Sequence, residues 1–208
     1  MTPRPLAWAV AALATMGGAR AAAAADLPPF ACAGPFVPTA TQGSLQKVFG
    51  PPNVIYRSEP AGEGTFVMAT VLFPRETARR AVIEWMVHEK RRRPALVRVD
   101  VGAQWKTPEG IGLGTSLKTV ERLNGRPFTL AGFGWDYEGT SLDFQGGALG
   151  GGACQLTLRF APHAVDDAAA EALGPLLAQL TGDGAFRSDD PAMQKVDPVV
   201  YEMVLKWD

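Results

Sequence analysis

Few side chains in this sequence have a type and a spacing that suit catalysis. The 208 residues contain two histidines, His88 next to Glu89 and His163 in an Ala-Pro-His stretch, and neither has the spacing of a metal ligand. No Gly-x-Ser-x-Gly segment, the turn that exposes a catalytic serine, occurs in the sequence. The sequence therefore favours a protein that is not an enzyme and predicts no metal or cofactor, with a hydrolase kept as an alternative.

Two further patterns match known sites only in part. Gly110, Gly112 and Gly114 precede a predicted helix, where backbone amides can cradle phosphate, but the P-loop lysine and the Gly-x-Gly-x-x-Gly spacing are both missing. Asp136 and Glu138 lie close in sequence, but Asp136 falls on one face of a predicted strand and Glu138 in the following turn. Such carboxylates do not converge for acid–base work, and the glycines suit a tight entry into a helix.

The first 25 residues have the pattern of a secretory leader. Arg4 gives a basic start, residues 6–16 form an apolar core, and a run of small residues ends at Ala25. The apolar run is too short to cross a membrane as a helix. We therefore expect a signal peptide at residues 1–25, cleavage near Ala25, and a periplasmic or secreted mature chain without a transmembrane segment.

Export gives meaning to the two cysteines, Cys32 and Cys154. They lie 122 positions apart (154 − 32), which does not suit the Cys-x-x-Cys motif of a disulfide oxidoreductase. An oxidising compartment favours pairing them, so we predict a Cys32–Cys154 disulfide, with two separate thiols as the alternative. The residues before Cys32, Pro-Phe-Ala, fit a lipoprotein signal poorly.

The charge is nearly balanced apart from one basic cluster. Without the leader and its two arginines the net charge is (20 − 2) − 21 = −3, which argues against a nucleic-acid partner. The cluster consists of Lys90, Arg91, Arg92 and Arg93, followed by a proline. Arg91, Arg92 and Arg93 are candidate contacts for an anionic partner or for lipid head groups. The alternative is a solvated hairpin tip.

Aromatic and glycine residues alternate at residues 128–137, which predicts a strand. Phe133, Trp135 and Tyr137 would lie on one face of it, with the glycines on the other. If the aromatic face points inward, it belongs to the core. If it points outward, the rings are the kind of rigid anchors that dominate protein interfaces. Phe133, Trp135, Asp136 and Tyr137 are therefore candidate binding residues.

The elements around these residues recur at an offset of 75 positions. Thr41 falls on Ser116, and each hydroxyl suits a helix N-cap. Gly50 falls on Gly125, and each suits the left-handed residue that ends a helix, with a proline two residues later. The same offset aligns two Glu-Gly-Thr turns, at residues 63–65 and 138–140. The sequence therefore predicts two copies of one helix-and-strand unit.

The predicted fold class is α+β, with two related helix plus antiparallel-sheet units. The units cover residues 26–104 and 105–208, and the second carries an inserted C-terminal helix, capped by Asp166 or Asp167 and kinked or broken at Pro175. The strands are predicted at residues 53–58, 65–73, 81–87, 95–101, 128–137, 141–144, 154–160 and 199–207. The last of them is predicted to take the place in the second unit that residues 95–101 hold in the first. The sequence leaves open whether the units share one continuous sheet with helices on one face.

The helix motif also carries a family resemblance. The Gly-x-x-x-Gly-Thr-Ser lead at residues 110–116, the helix that ends at Gly125 and the upstream copy that ends at Gly50 resemble the beta-lactamase inhibitor protein fold. The single unit resembles the small SmpA/OmlA-type outer-membrane assembly lipoproteins. The resemblance implies a sheet with helices on one face and a concave face free to bind protein. No contact residue is carried over, and the poor lipoprotein signal counts against a direct role at the outer membrane.

The sequence thus predicts an exported, non-enzymatic binding protein. Its partner would be another envelope or secreted protein, bound through a sheet face or through the residues near Trp135. The first alternative is a cell-envelope assembly or stress factor that contacts lipid or peptidoglycan through Arg91, Arg92 and Arg93. Salt-sensitive retention on anionic vesicles, lost on substitution of these arginines, would favour that alternative.

Overall fold

The computed structural model describes residues 27–62, 64–164, 166–182 and 184–207. The predicted signal peptide at residues 1–25 and Glu63 of the first predicted Glu-Gly-Thr turn lie outside these ranges. Within them the chain is α+β, as the sequence predicted. The helices there are α1 (Gln42–Phe49), α2 (Leu117–Asn124), α3 (Asp167–Gln179) and α4 (Pro191–Val196). The strands there are β1 (Val54–Gly62), β2 (Thr65–Leu72), β3 (Ala81–Val87), β4 (Arg92–Val99), β5 (Thr129–Ala131), β6 (Ser141–Asp143), β7 (Gln155–Ala161), β8 (Ala185–Arg187) and β9 (Val199–Lys206).

Helices α1 and α2 start and end as their sequences predict. The Thr41 and Ser116 hydroxyl oxygens accept hydrogen bonds from the backbone N–H three residues on, at 3.0 and 3.3 Å. Each bond satisfies a first-turn amide that has no partner within the helix. Gly125 ends α2 in the predicted left-handed conformation, with φ of 76° and ψ of 1°. Gly50 ends α1 at the predicted residue and with a positive φ of 84°, but its ψ of 139° lies outside the left-handed region. Local chemistry therefore sets both helix lengths.

The strands form two antiparallel sheets. The larger has the order β1-β2-β3-β4-β9-β7, and the smaller has the order β6-β5-β8. Strand β9 pairs with β4 on one side and with β7 on the other. The helix-and-strand segments before and after residue 104 therefore share one continuous sheet, joined by their last strands.

The pairing of β4 with β9 is symmetric. Val97 lies opposite Leu205, and Val99 lies opposite Met203. Ile83 pairs with Val97 in the first half, and its counterpart 75 positions on, Leu158, pairs with Met203 in the second. Val97 and Met203 thus hold equivalent positions in the two halves. A two-fold rotation that exchanges β4 and β9 therefore places the Val97–Leu205 pair on the Met203–Val99 pair.

Irregular features repeat as well. The β3–β4 ladder changes register after Glu84, and the β7–β9 ladder changes register after Arg159, which is 75 positions later (159 − 84). The helix N-caps Thr41 and Ser116 each form an isolated bridge to the first residue of β4 or β9. Bulges and caps are specific local devices, so their recurrence supports an internal duplication more strongly than a shared pattern of elements does.

Two predicted elements differ from the structure. The strand predicted at residues 128–137 ends at Ala131, and the chain then turns through residues 132–139. Helix α3 is not broken at Pro175 but continues to Gln179. The helix continues past Pro175 because the missing proline N–H removes only one backbone hydrogen bond. Most of the helix surface is exposed to solvent.

One hydrophobic core lies against one face of the six-stranded sheet. Alternate residues of the central strands enter it and are at most 2% exposed, namely Ile83, Val97, Val99, Met203 and Leu205. Helices α1 and α2 and the N-terminal segment pack on the same cluster through Phe30, Phe36, Leu45, Leu117 and Val120. Because side chains alternate along a strand, the intervening residues such as Arg98 and Val204 point to the opposite face. That opposite face is where the open surface lies.

Candidate functional site

A groove of about 750 Å³ crosses the open face of β7 and β9. We call it the sheet groove. Its floor consists of outward-facing residues of the two strands, Gln155, Thr157, Arg159, Glu202, Val204 and Lys206. One wall is the tip of the β1–β2 hairpin, Ala61, Gly62 and Thr65. The other wall is the chain between β5 and β6 with the start of β6, namely Asp136, Tyr137, Thr140, Ser141 and Leu142.

The floor is polar because the buried and open sides of β9 differ in composition. Met203 and Leu205 are buried in the core, while Val204 and Lys206 line the groove. Arg159 Nη1 lies 3.5 Å from Glu202 Oε1, so the two strands are joined across the floor by an ion pair. The Glu202 side chain is only 15% exposed, which limits solvent screening of this pair. The floor therefore offers hydrogen-bonding and charged groups on a rigid sheet.

Tyr201 supports this floor. The Arg159 guanidinium carbon lies 5.3 Å from the centre of the Tyr201 ring, a cation–π contact. Burial raises the pKa of Tyr201 above its usual value of 10.0; the nearby Glu202 and Glu138 carboxylates raise this pKa further, while Arg159 lowers it. The phenol thus stays neutral where an exposed tyrosine begins to ionise.

The second wall is formed by residues 132–139, which we call the aromatic loop. The Gly139 N–H donates to the Gly132 carbonyl at 3.1 Å and closes the base of the loop. Inside it, the Gly134 N–H donates to Glu138 Oε2 at 3.1 Å. A Cβ at Gly139 would lie 2.0 Å from the Phe160 carbonyl oxygen, and Gly139 has φ of +61°. Only glycine fits this position, so the loop is held close against β7.

This loop corrects the predicted placement of the aromatic residues. Phe133, Trp135 and Tyr137 were expected on one face of a strand, but no strand forms there. Phe133 is 5% exposed and packs in the core, whereas Trp135 is 58% and Tyr137 is 76% exposed. The turn separates the rings because the tight base at Gly132 and Gly139 prevents an extended path. Asp136 and Tyr137 line the sheet groove, and Trp135 lies one residue outside its lining.

The predicted basic residues lie elsewhere. We call residues 88–93 the basic turn. It consists of the connection from β3 to β4 and the first two residues of β4, Arg92 and Arg93. The Arg91 carbonyl accepts a hydrogen bond at 3.0 Å from the backbone N–H of Gln42. The Arg91 guanidinium carbon lies 5.4 Å from the centre of the Tyr56 ring. None of these arginines lines the sheet groove, so the structure does not bring the two predicted groups together.

On the first half of the sheet, charged side chains cover the open face. Glu59 is 4% exposed; it pairs with Arg57 at 2.6 Å and also with Arg80. Arg80 and Arg98 both approach Asp100, at 3.5 and 3.7 Å. Beneath this network the outward-facing apolar residues are fully buried, namely Ala69, Val71 and Val82. The first half thus covers its own open face with charged side chains, and the floor of the groove is confined to the second half.

Most groove residues were missed by the sequence analysis, among them Gln155, Thr157, Arg159, Glu202 and Lys206. The alternation in β7 and β9 is visible in the sequence and shows which residues share a face. The repeat places the last strand in the position that residues 95–101 hold in the first unit, next to β7. It gives neither the register that sets Arg159 beside Glu202 nor the pairing of β9 with β4. The sequence signal was therefore present for each strand and for their order in the second unit, but absent for their exact register and for the pairing of β9 with β4.

The groups in the groove suit binding. The Ser141 hydroxyl accepts a hydrogen bond at 2.9 Å from the Leu158 N–H and is thereby engaged in holding β6 to β7.

Within the described ranges no cluster of three or more His, Cys, Asp or Glu side chains could hold a metal ion. In the same part of the chain no helix is long and apolar enough to cross a membrane. The predicted Cys32–Cys154 disulfide is confirmed and lies outside the groove.

Comparison of the chain with models of known families, with curated proteins and with solved structures finds no match. The resemblance to the beta-lactamase inhibitor protein fold and to the SmpA/OmlA type stays a prediction from the helix motif. The geometry of the groove is therefore the basis for a functional proposal.

Proposed function

We propose that this chain is an exported, non-enzymatic binding protein whose sheet groove docks another envelope or secreted protein. The observation that carries the proposal is the open face of β7 and β9, bordered by a loop that exposes Trp135 and Tyr137. Exposed aromatic residues beside a rigid surface are typical of the residues that supply most of the free energy in protein interfaces.

The lining of the groove favours a protein over a small molecule. Small-molecule sites are mostly apolar and enclose most of the ligand surface. Here the aliphatic side chains are few, namely Ala61, Leu142 and Val204, and the remaining lining is mainly polar or charged. Protein interfaces combine a central aromatic anchor with a polar surround of this kind. Tyr137 would supply the anchor, and the Arg159–Glu202 pair would lie in the polar surround.

The location of the protein is supported by two features. Residues 1–25 have the pattern of a signal peptide. The disulfide between Cys32 and Cys154 is of a kind that persists in oxidising compartments such as the periplasm. Both features suit a partner that is itself exported. No observation in the described part of the chain favours the hydrolase alternative.

The proposal is tested by chemical crosslinking in the native cells, followed by mass spectrometry. Wild type is compared with a Trp135→Ala, Tyr137→Ala variant. A Val48→Ala, Val101→Ala variant is the control, since those side chains are 58% and 80% exposed away from the groove lining. We expect one dominant protein adduct in wild type and control, reduced by at least about tenfold in the aromatic variant. Equal adducts in all three folded proteins would contradict the proposal.

A further inference from the structure

The β1–β2 hairpin projects beyond the rest of the sheet. Its two strands pair from Val54 and Leu72 out to Gly62 and Thr65, whereas the pairing of β2 with β3 ends at Thr70. The outer part of the hairpin therefore has no neighbouring strand. On its side that faces away from the sheet groove, Phe66 is 70% and Met68 is 44% exposed. These are the largest apolar side chains on the projecting part.

The basic turn lies beside the same face of the hairpin. Met68 and Phe66 pair with Ser58 and Pro60, which lie two and four residues after Tyr56 on β1. Since every second residue of a strand points to the same face, Tyr56, Met68 and Phe66 share one face. Arg91 covers the Tyr56 ring at 5.4 Å, which places the turn next to this row of side chains. At about 3.4 Å per residue, Phe66 lies about 14 Å further along the hairpin. Basic and apolar groups thus occupy one continuous side of the molecule.

The turn is held in place and its charge is concentrated. The Arg93 N–H donates to the Ala40 carbonyl at 3.0 Å, and the Arg91 carbonyl accepts from the Gln42 N–H, so two residues of the basic run are tied to the chain at the start of α1. An adjoining hollow of about 400 Å³ is lined by Lys90, Arg91 and Arg92 with uncharged residues, and by no acidic side chain. Lys90, Arg92 and Arg93 are exposed. The only acidic residue within the basic turn is Glu89.

We propose that the basic turn and the outer face of the β1–β2 hairpin together dock on an anionic lipid surface. Lys90, Arg92 and Arg93 would contact the head groups, while Phe66 and Met68 enter the boundary with the acyl chains. A combination of basic and exposed apolar side chains is what interfacial membrane binding requires. A soluble anion would use the basic residues alone and would leave the role of Phe66 and Met68 unexplained.

Membrane docking through this side leaves the sheet groove free. The groove is walled by Ala61, Gly62 and Thr65, and Thr65 points to the other face of the hairpin from Phe66. The lipid surface and the groove therefore lie back to back on one hairpin. The inference does not depend on the proposed protein partner, because no residue of the basic turn lines the groove.

The test is co-sedimentation with vesicles, using protein expressed from the full-length gene with its N-terminus determined by mass spectrometry. Vesicles of phosphatidylglycerol and phosphatidylcholine are compared with pure phosphatidylcholine at low and moderate salt. A charge variant, Lys90→Ala, Arg92→Ala, Arg93→Ala, and an apolar variant, Phe66→Ser, Met68→Ser, are compared with wild type. The control is Arg75→Ala, Arg122→Ala, Lys195→Ala, which removes equal charge at other exposed sites. Circular dichroism confirms that each variant is folded.

We expect wild type and control to bind the anionic vesicles and not the neutral ones. Each basic residue near an anionic surface contributes about fivefold to partitioning, so the charge variant should bind about 100-fold more weakly at low salt. The apolar variant should bind about tenfold more weakly. Failure of wild type to bind anionic vesicles would overturn the inference. Equal binding by wild type and either the charge variant or the apolar variant would overturn it as well.

Discussion

Tyr137 and Trp135 expose their rings because glycines bend the chain around them. Gly139 sits where a Cβ would collide with the backbone carbonyl of Phe160, and Gly132 meets the Leu180 carbonyl in the same way. A flexible side chain can move away from such a contact, but a backbone carbonyl in strand β7 or at the end of α3 cannot. The proposed binding residues in the groove wall therefore depend on two glycines that lie outside the groove lining.

The glycine at the base of the loop gives the first prediction. Gly139→Ala should destabilise the fold by about 2 kcal/mol or more, since it adds the cost of positive φ to a collision with Phe160. Gly34→Ala is the matched control, because Gly34 has a nearly equal φ of +59° but open space around its Cβ. Urea denaturation measures both variants. Equal losses would show that the close contact has no effect on stability.

Tyr201 gives a prediction at alkaline pH. Its pKa is raised by burial, so above about pH 10 the folded chain keeps a proton that the unfolded chain has lost. The folded state then binds more protons, and stability falls as the pH rises from about 10 through the pKa of the folded state. Tyr201→Phe should remove this part of the loss. We would compare urea midpoints of both proteins at about pH 9 and about pH 11; an equally steep decline in the variant would refute the assignment.

Among the secondary-structure elements, helices α1 and α2 have the same length and each begins with a hydroxyl N-cap. Thr41→Ala and Ser116→Ala should each cost about 1 kcal/mol, because each removes the acceptor for a first-turn amide. Ser58→Ala, at an exposed strand position, should change stability by less than about 0.5 kcal/mol. Thermal denaturation of the three variants decides the matter. If Thr41→Ala or Ser116→Ala lowered the stability no more than Ser58→Ala does, the capping role would be contradicted.

Helices α1 and α2 were predictable because their signals are local, whereas α4 was not predicted. The hydroxyl before each helix and the glycine after it act within a few residues, and both ends were placed correctly from the sequence. Strand β5 was predicted too long for the opposite reason. Alternation of Phe133, Trp135 and Tyr137 describes an extended chain, but the contacts that bend it come from residues 160 and 180, far along the sequence.

The pairing of β4 with β9 could not be predicted, because its contacts also come from residues far apart in the sequence. Alternation shows that Arg159 and Glu202 each point away from the core, and the repeat predicts that their strands are neighbours, but only the register of the pairing puts them 3.5 Å apart. The symmetric pairing of β4 with β9 depends on backbone hydrogen bonds that any sequence can form. The predicted candidate site therefore contained the wall residues Asp136 and Tyr137 but not the floor.

At the scale of the whole molecule, the disulfide links the two halves of the chain. Cys32 lies two residues after Phe30, whose ring is 6.3 Å from that of Trp105, and Cys154 immediately precedes β7. A crosslink over 122 positions restricts the unfolded chain and should stabilise the fold by about 3–5 kcal/mol in the chain-entropy model. A Cys32→Ser, Cys154→Ser variant should show this loss in urea denaturation. An unchanged midpoint would mean that the bond adds no stability.

We propose that the open face of β7 and β9 binds a protein. Site-specific photo-crosslinking in the native cells tests it most directly, with the photoreactive residue placed at Tyr137, Thr157 or Val204 inside the groove. Val101 and Arg122 serve as exposed positions outside its lining. We predict one and the same protein adduct from the three groove positions and none from the two outside. Adducts only from the outside positions, or equal adducts from all five, would contradict the claim.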